Sequence, residues 1–212
     1  VFKSNLYKKY KRPIILIGSK KIIEMQIKKM NYYCNIRLIK TDQINSTKLN
    51  NKKINLIDVK LNFNKPFGKI TNKSSKYIKE CFDIAINIMK KKKGHALING
   101  PISKKDFFQR KYNGITEYLA HKTFVSNNEV MLIYNKKLSV CPITTHIPLK
   151  KVYKKISSKL ILKKILIINK FYKNKLSKIP KFAVTGLNPH CESSFTNSEE
   201  KKIIIPAIKK AK

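Results

Sequence analysis

Two rhythms of hydrophobic and polar positions run along the chain. "RPIILIGS" is a short apolar run closed by Gly18, and "KKIIEMQIKKM" behind it spaces its apolar residues at helical intervals, which predicts a strand followed by a helix. "KINLIDV" repeats the strand pattern, and "NKPFGKITNKSS" reads as a loop with Pro66 and Gly68. "SKYIKECFDIAINIMKKKKG" predicts an amphipathic helix with Tyr77, Cys81, Ile84 and Ile88 inward and Gly94 as its stop. "HALINGPISK" reads as a buried strand turning at Gly100-Pro101, with Ser103 as N-cap of a helix over "KKDFFQRKY". "EVMLIYNKKLSVCPITT" predicts two strands joined at Asn135-Lys136. Helical spacing runs from Leu149 to about Leu176, with a break near Ser157-Ser158. "KFAVTGLNPH" reads as a strand leading into a loop. "SEEKKIIIPAIKKA" then opens a helix capped by Ser198, with two glutamates where the helix dipole favours them. Alternating strands and helices imply an α/β fold with helices on both faces of a sheet.

Composition changes this picture little. With 212 residues, 42% of them hydrophobic, the chain can bury one core. It opens on Val1 and stops inside the helical pattern "IIIPAIKKAK", so residues 1–212 are expected to be an internal fragment of one longer protein. No signal-peptide pattern is present, and "LILKKILII" is too short and too lysine-rich to span a membrane. Cys34, Cys81, Cys141 and Cys191 lie far apart, which argues against a structural zinc site and gives no disulfide framework. A reducing cytoplasm is the expected setting.

The net charge of +37 suggests a nucleic-acid partner at first sight, but it comes almost wholly from lysines spread over every segment. Arg12, Arg37 and Arg110 are the only arginines, whereas phosphate-reading surfaces favour the bidentate guanidinium. A solvated lysine surface with a general pull on anions is the simpler reading, and no specific nucleic acid is expected.

Candidate chemistry sits in three stretches, "INGPISKKDF", "TTHIPLKKV" and "GLNPHCE", each a strand pattern running into a polar, proline-containing loop. Loops beyond the carboxyl ends of strands build ligand sites in open α/β sheets. His146 and His190 lie in two of them. Two imidazoles with a third ligand could form an open divalent-metal site; satisfied loop histidines are the plainer alternative. Lys104 or Lys105, beside the Ser103 helix start, could meet a phosphate, or be two more surface lysines. His95 reads as structural at the start of a buried strand, His121 as solvent-facing, and Cys191 as ordinary packing. Glu117 could cap or orient its loop and is given no catalytic role.

In order, "INGPISK", "GITEYLA", "TTHIPLKKV" and "GLNPHCE…EE…IPAI" resemble the 4-hydroxythreonine-4-phosphate dehydrogenase family, over essentially the whole chain. The resemblance implies a three-layer α/β/α fold similar to isocitrate and isopropylmalate dehydrogenases, two lobes with a cleft. It implies a homodimer with the site at the subunit interface, and NAD or NADP bound without a Rossmann glycine fingerprint. A divalent metal (Zn, Mg or Co) would be held by His146 and His190, with a third histidine expected beyond Lys212. Thr116 would contact substrate. The preceding position, usually His in the family, is Ile115 here, and the loop after His190 departs from the family's glycine-rich pattern. The family's N-terminal loop and C-terminal third would lie outside these residues.

The implied reaction is oxidation of 4-phosphohydroxy-L-threonine to a β-keto acid, which loses carbon dioxide to give 3-amino-2-oxopropyl phosphate in pyridoxine and pyridoxal phosphate biosynthesis. The departures at Ile115 and after His190 keep a second activity open, oxidation of a threonate or erythronate phosphate by a paralogous dehydrogenase. A basic nucleic-acid-binding protein, suggested by charge alone, is the reading from a different class.

Overall fold

Ser19 closes the first strand and starts the first helix. Its backbone is extended and its hydroxyl accepts from Ile22 N, so helix α1 (Lys20–Lys29) begins directly behind strand β1 (Ile15–Gly18). The computed structural model describes residues 6–69, 71–108, 111–191 and 195–212. They form two compact units, residues 1–124 and 125–212.

In the first unit, β1 and β2 (Ile36–Leu38) both pair in parallel with a central β3 (Ile54–Asp58), giving the order β1-β3-β2. Being central explains why Ile54 to Ile57 of β3 are all buried, Asn55 included, because a strand flanked on both edges and covered on its faces has no wet side. Leu56 is fully buried there, and truncating such a leucine to alanine costs about 2–5 kcal/mol. Helix α2 (Asn72–Lys90) contributes Ile88 to a core cluster with Ile39, Ile44 and Ile57. Its Phe82 and Ile86 join Phe108 and Tyr118 in a second cluster, which fixes the short helices α3 (Lys104–Phe108) and α4 (Ile115–Lys122).

Two asparagines fasten the edge of this unit. Asn51 accepts from Ile14 N at 2.7 Å and donates to the carbonyls of Tyr10 and Arg12 at 2.9 and 2.8 Å. Asn55, with no exposure at all, donates to Ile14 O and Asn50 O. Backbone groups that would otherwise be buried without partners are satisfied by these amides.

Among its described residues the second unit has a single antiparallel bridge, Ile133 to Val140. A 3-10 turn at Leu149–Lys151 leads into α5 (Val152–Lys155). Ser157 then caps α6 (Ser158–Phe171), which continues into a π-type turn over Tyr172–Leu176. A second π-type turn, Glu200–Ile204, enters α7 (Ile205–Ala211). Ile161, Ile204 and Ala207 form its core, with Ile143 and Val184 packed against them.

Several expectations are corrected here. Residues 95–103 form no strand: Ile98 is 91% exposed, and His95 is an exposed residue, not the start of a buried strand. The two strands expected over 129–145 reduce to that one bridge, and 181–190 carries no ladder. An apolar run becomes a strand only when a neighbour accepts its backbone hydrogen bonds, and among the described residues these runs have none beyond the Ile133–Val140 pair. Helix α2 stops before Gly94: its C-cap is Lys91, and Lys92 takes the left-handed turn at φ 55°. Its buried face is also wider than expected, since Phe82, Ala85 and Ile86 are buried while Tyr77, Cys81 and Ile84 are half-buried. The helix behind Ser103 is described only to Phe108, because Gln109 and Arg110 lie outside the described residues.

Candidate active site

The loop of His146 hangs from α6. Lys164 donates its Nζ to Pro142 O at 3.3 Å, Tyr172 donates its hydroxyl to Ser139 Oγ at 2.9 Å, and Ile143 packs into the unit's core. Pro148 restricts Ile147 to extended backbone, so the chain's turn falls one residue earlier. His146 takes it, at φ 55°. Histidine is among the residues enriched in that left-handed region, yet holding it there costs about 1–3 kcal/mol, and such strain clusters at functional sites. The side chain is exposed.

The loop of His190 hangs from the same core through Val184. Leu187 N and Asn188 N both donate to one carboxylate oxygen of the buried Glu200, at 3.0 and 3.1 Å. Asn188 then accepts from His190 N with its side-chain oxygen and from Cys191 N with its carbonyl, both at 2.9 Å. The N–H of Asn188 is the largest influence holding the Glu200 carboxyl below its usual range; the Leu187 N–H, Glu200's own N–H and Ser198 add to it, against burial. Gly186 is tightly surrounded: a Cβ there would lie 2.8 Å from Cys191 Sγ and 3.2 Å from Cys191 Cα. Cys191 itself turns at φ 56° and is exposed, contrary to the packing role expected of it.

Neither the His146 nor the His190 imidazole makes a hydrogen bond among the described residues, so their ring nitrogens are available to a ligand. His121 differs, since its Nδ1 lies 3.0 Å from the Tyr112 hydroxyl. Neutral imidazoles suit zinc and similar divalent ions, and the donor chemistry of this pair therefore fits such a metal. It does not complete a site: no group of three His, Cys, Asp or Glu side chains able to hold a metal occurs among the described residues.

Thr116 and Ile115 lie in the first unit, at the start of α4. Thr116 is half-buried. Ile115 packs against the Phe82, Phe108 and Tyr118 cluster and offers no polar atom. Next to Thr116, one carboxylate oxygen of Glu117 is buried without a hydrogen-bond partner among the described residues. Lys104 and Lys105 are exposed on the five-residue α3. Ser103 uses its hydroxyl on Asp106, within the turn itself.

One polar corner was missed from sequence. At the carboxyl ends of β1 and β3, Ser19 N donates to the Tyr77 hydroxyl at 2.9 Å and Lys20 N to Asp58 at 2.7 Å. Burial pushes Tyr77 up to about 12 and Cys81 up to about 11. These groups satisfy one another. Apolar helical spacing marks Tyr77 and Cys81 as inward, but nothing in the pattern shows that a tyrosine hydroxyl would meet a strand end.

Among solved structures, a 4-hydroxythreonine-4-phosphate dehydrogenase from Klebsiella pneumoniae matches 97% of this chain and 66% of its own with a TM-score of 0.81, at 24% identity. One from Burkholderia phymatum matches 92% and 60% with a TM-score of 0.75, at 27% identity. The chain thus has the α/β fold of this class of dehydrogenases. The family model described as pyridoxal phosphate biosynthetic protein PdxA matches residues 9–212, and the chain belongs to that family. A 4-hydroxythreonine-4-phosphate dehydrogenase from Sulfurihydrogenibium sp. is 37% identical over 201 residues, 92% of this chain and 60% of the relative. An Oceanobacillus iheyensis relative, named provisionally as a D-threonate 4-phosphate dehydrogenase, is 30% identical over 93% of this chain and 60% of its own length. The chain spans about 60% of the length of these relatives. No helix among the described residues is long and apolar enough to cross a membrane.

Proposed function

We propose that the protein to which these residues belong is a 4-hydroxythreonine-4-phosphate dehydrogenase, oxidising 4-phosphohydroxy-L-threonine with NAD or NADP and a divalent metal. Family membership supplies the activity. The observation that carries the site is that two loops anchored on one core, through Ile143 and Val184, each present an exposed imidazole whose ring makes no hydrogen bond among the described residues.

His146 and His190 hold the metal, with a third histidine expected beyond Lys212. When bound, a divalent ion would supply Lewis acidity toward the substrate's hydroxyl, and a nicotinamide cofactor would supply the hydride acceptor. The chain's own contribution is position. The left-handed turn at His146 and the Asn188 turn before His190 fix where the two imidazoles point, and Thr116 offers its hydroxyl to the substrate. Orientation of this kind removes much of a barrier before any bond changes. A homodimer with the site at its interface is supported by exposed apolar residues around the 133–140 bridge, namely Met131, Ile133, Tyr134, Leu138 and Val140.

A second substrate is favoured by one specific observation. Ile115 is embedded in an aromatic cluster and offers no hydrogen bond, so selection at that point is apolar. A relative named for D-threonate 4-phosphate aligns along 93% of the chain. Nicotinamide reduction by the full-length protein, with 4-phosphohydroxy-L-threonine against D-threonate and erythronate 4-phosphates, separates the two. His146→Ala and His190→Ala are expected to lose most turnover together with bound metal; wild-type metal content and turnover in either would refute its ligand role.

A further inference from the structure

Glu200 is an unusual carboxylate for this chain. The sequence carries 48 lysines and arginines against 11 acidic residues, yet among the described residues no cation pairs with Glu200. It is 8% exposed, and one of its oxygens takes two consecutive backbone N–H groups from the loop of His190.

Its position explains how it can act on that loop. Glu200 opens the π-type turn that delivers Ile204 into the core, beside Ile161 and Ala207. Ser158 Oγ donates to Ile203 O at 2.6 Å and ties the same turn to α6. The carboxylate is therefore fixed from the rigid side of the unit. On the loop side, Asn188 is gripped at its N–H by Glu200, and it holds the backbone of His190 and Cys191 with its own two oxygens. Removing the carboxylate frees Leu187 N and Asn188 N together. His190 then keeps its local turn but loses one of the links, beside Val184, that orient the turn against the core.

We propose that Glu200 is the positioning residue of the His190 loop, setting through Asn188 the direction in which the imidazole meets its metal. This rests on the reading of His190 as a metal ligand. Glu200 is not proposed as a ligand itself, since one of its oxygens is used by the two backbone N–H groups. It acts as outer-shell partners of ligands do, whose removal costs about 10–100-fold in metal affinity.

The test uses the metal-free full-length protein, with zinc affinity read by competition against a chromophoric chelator and amide exchange read at Leu187 and Asn188. Glu200→Ala should weaken zinc binding about 10–100-fold and speed exchange at both amides. Glu200→Gln should recover most of the lost affinity, because its side-chain oxygen still accepts both N–H groups. Such rescue is not expected of a residue whose negative charge alone matters. His190→Ala is the control. If it loses zinc while Glu200→Ala binds zinc like wild type, the positioning role is overturned and the ligand reading stands. If His190→Ala itself binds zinc like wild type, the ligand reading fails and the positioning role goes with it. Should Glu200→Ala not fold, Glu200→Asp keeps the charge but withdraws it by one methylene, and wild-type affinity there overturns the proposal equally.

Discussion

Replacing Gly186 with alanine puts a methyl group into the bend that precedes the His190 turn. Its carbon would lie 2.8 Å from Cys191 Sγ, 3.1 Å from Asn188 O and 3.2 Å from Cys191 Cα. The first contact is cheap to relieve, because the thiol can rotate outward from an exposed side chain. The other two involve backbone, and Asn188 is the residue held by Glu200 and holding His190. Relief must therefore come from opening the loop by a few tenths of an ångström. Overpacking of this kind costs about 1–3 kcal/mol.

The prediction is a lower urea midpoint for Gly186→Ala in the full-length protein, at unchanged slope, corresponding to that range. Zinc affinity should fall with it, since the displaced backbone, at Asn188 and Cys191, flanks His190 on both sides. Cys191→Ala removes only the 2.8 Å contact, so the double variant should recover part of the loss, with a coupling of about 0.5–1 kcal/mol. Full recovery would mean that the thiol alone was the obstacle. Wild-type stability in Gly186→Ala, with unmoved amide resonances from 187 to 191, would refute the described packing of the loop altogether.

Two further predictions concern the first unit. Asn51→Ala removes three hydrogen bonds of 2.7–2.9 Å at a residue only 6% exposed, and should destabilise by roughly 2–4 kcal/mol in urea titrations. Asn51→Asp should be at least as harmful, because it keeps the acceptor for Ile14 N but turns an oxygen toward the carbonyls of Tyr10 and Arg12. In alkali, Cys81 is raised from 9.0 to about 11 and Tyr77 from 10.0 to about 12, so the fold favours both neutral forms. Their contribution is complete below pH 9 and is lost as pH rises through about 11 and then 12. Cys81→Ala should flatten the lower part of that decline in thermal melts; an unchanged profile in this variant would count against the thiol.

The parts of the fold legible from sequence are those whose partners are local or whose pattern is sustained. Helices α1, α2 and α6 repeat apolar residues over several turns, and Ser19 and Ser157 each cap a helix with a bond three residues ahead. Strand β3 was legible because three of its five residues, Ile54, Leu56 and Ile57, are large and aliphatic, as burial on both faces demands. By contrast, β2 is three residues long, with Arg37 at its centre, and has no period to detect. The runs at 95–103 and 181–190 carry the apolar content of strands, but content says that a segment wants covering, not which backbone lies beside it. Gly94 failed as a helix stop for a related reason: Lys92 can adopt the left-handed turn itself, and the glycine instead makes room near Met89.

The site divides along the same line. His146 and His190 stand out because a proline within two residues of a histidine at the end of an apolar run is a local pattern; His146 takes a left-handed turn, His190 N donates to the Asn188 side chain, and neither ring has a hydrogen bond among the described residues. Glu200 was visible only as one of two acids at a helix start, where the dipole accounts for both. Its partners, the N–H groups of Leu187 and Asn188, are backbone atoms a dozen residues earlier, and no side-chain pattern records a backbone donor. Ile115 shows the converse. As a departure from a family pattern it reads as a missing polar contact, while its packing against Phe82, Phe108 and Tyr118 gives it a positive role. A histidine at that position would have to bury or expose an imidazole beside five aromatic rings that lie 5.0–5.9 Å apart in pairs. The apolar choice at 115 is thus tied to the packing that holds α4, and with it Thr116, in place.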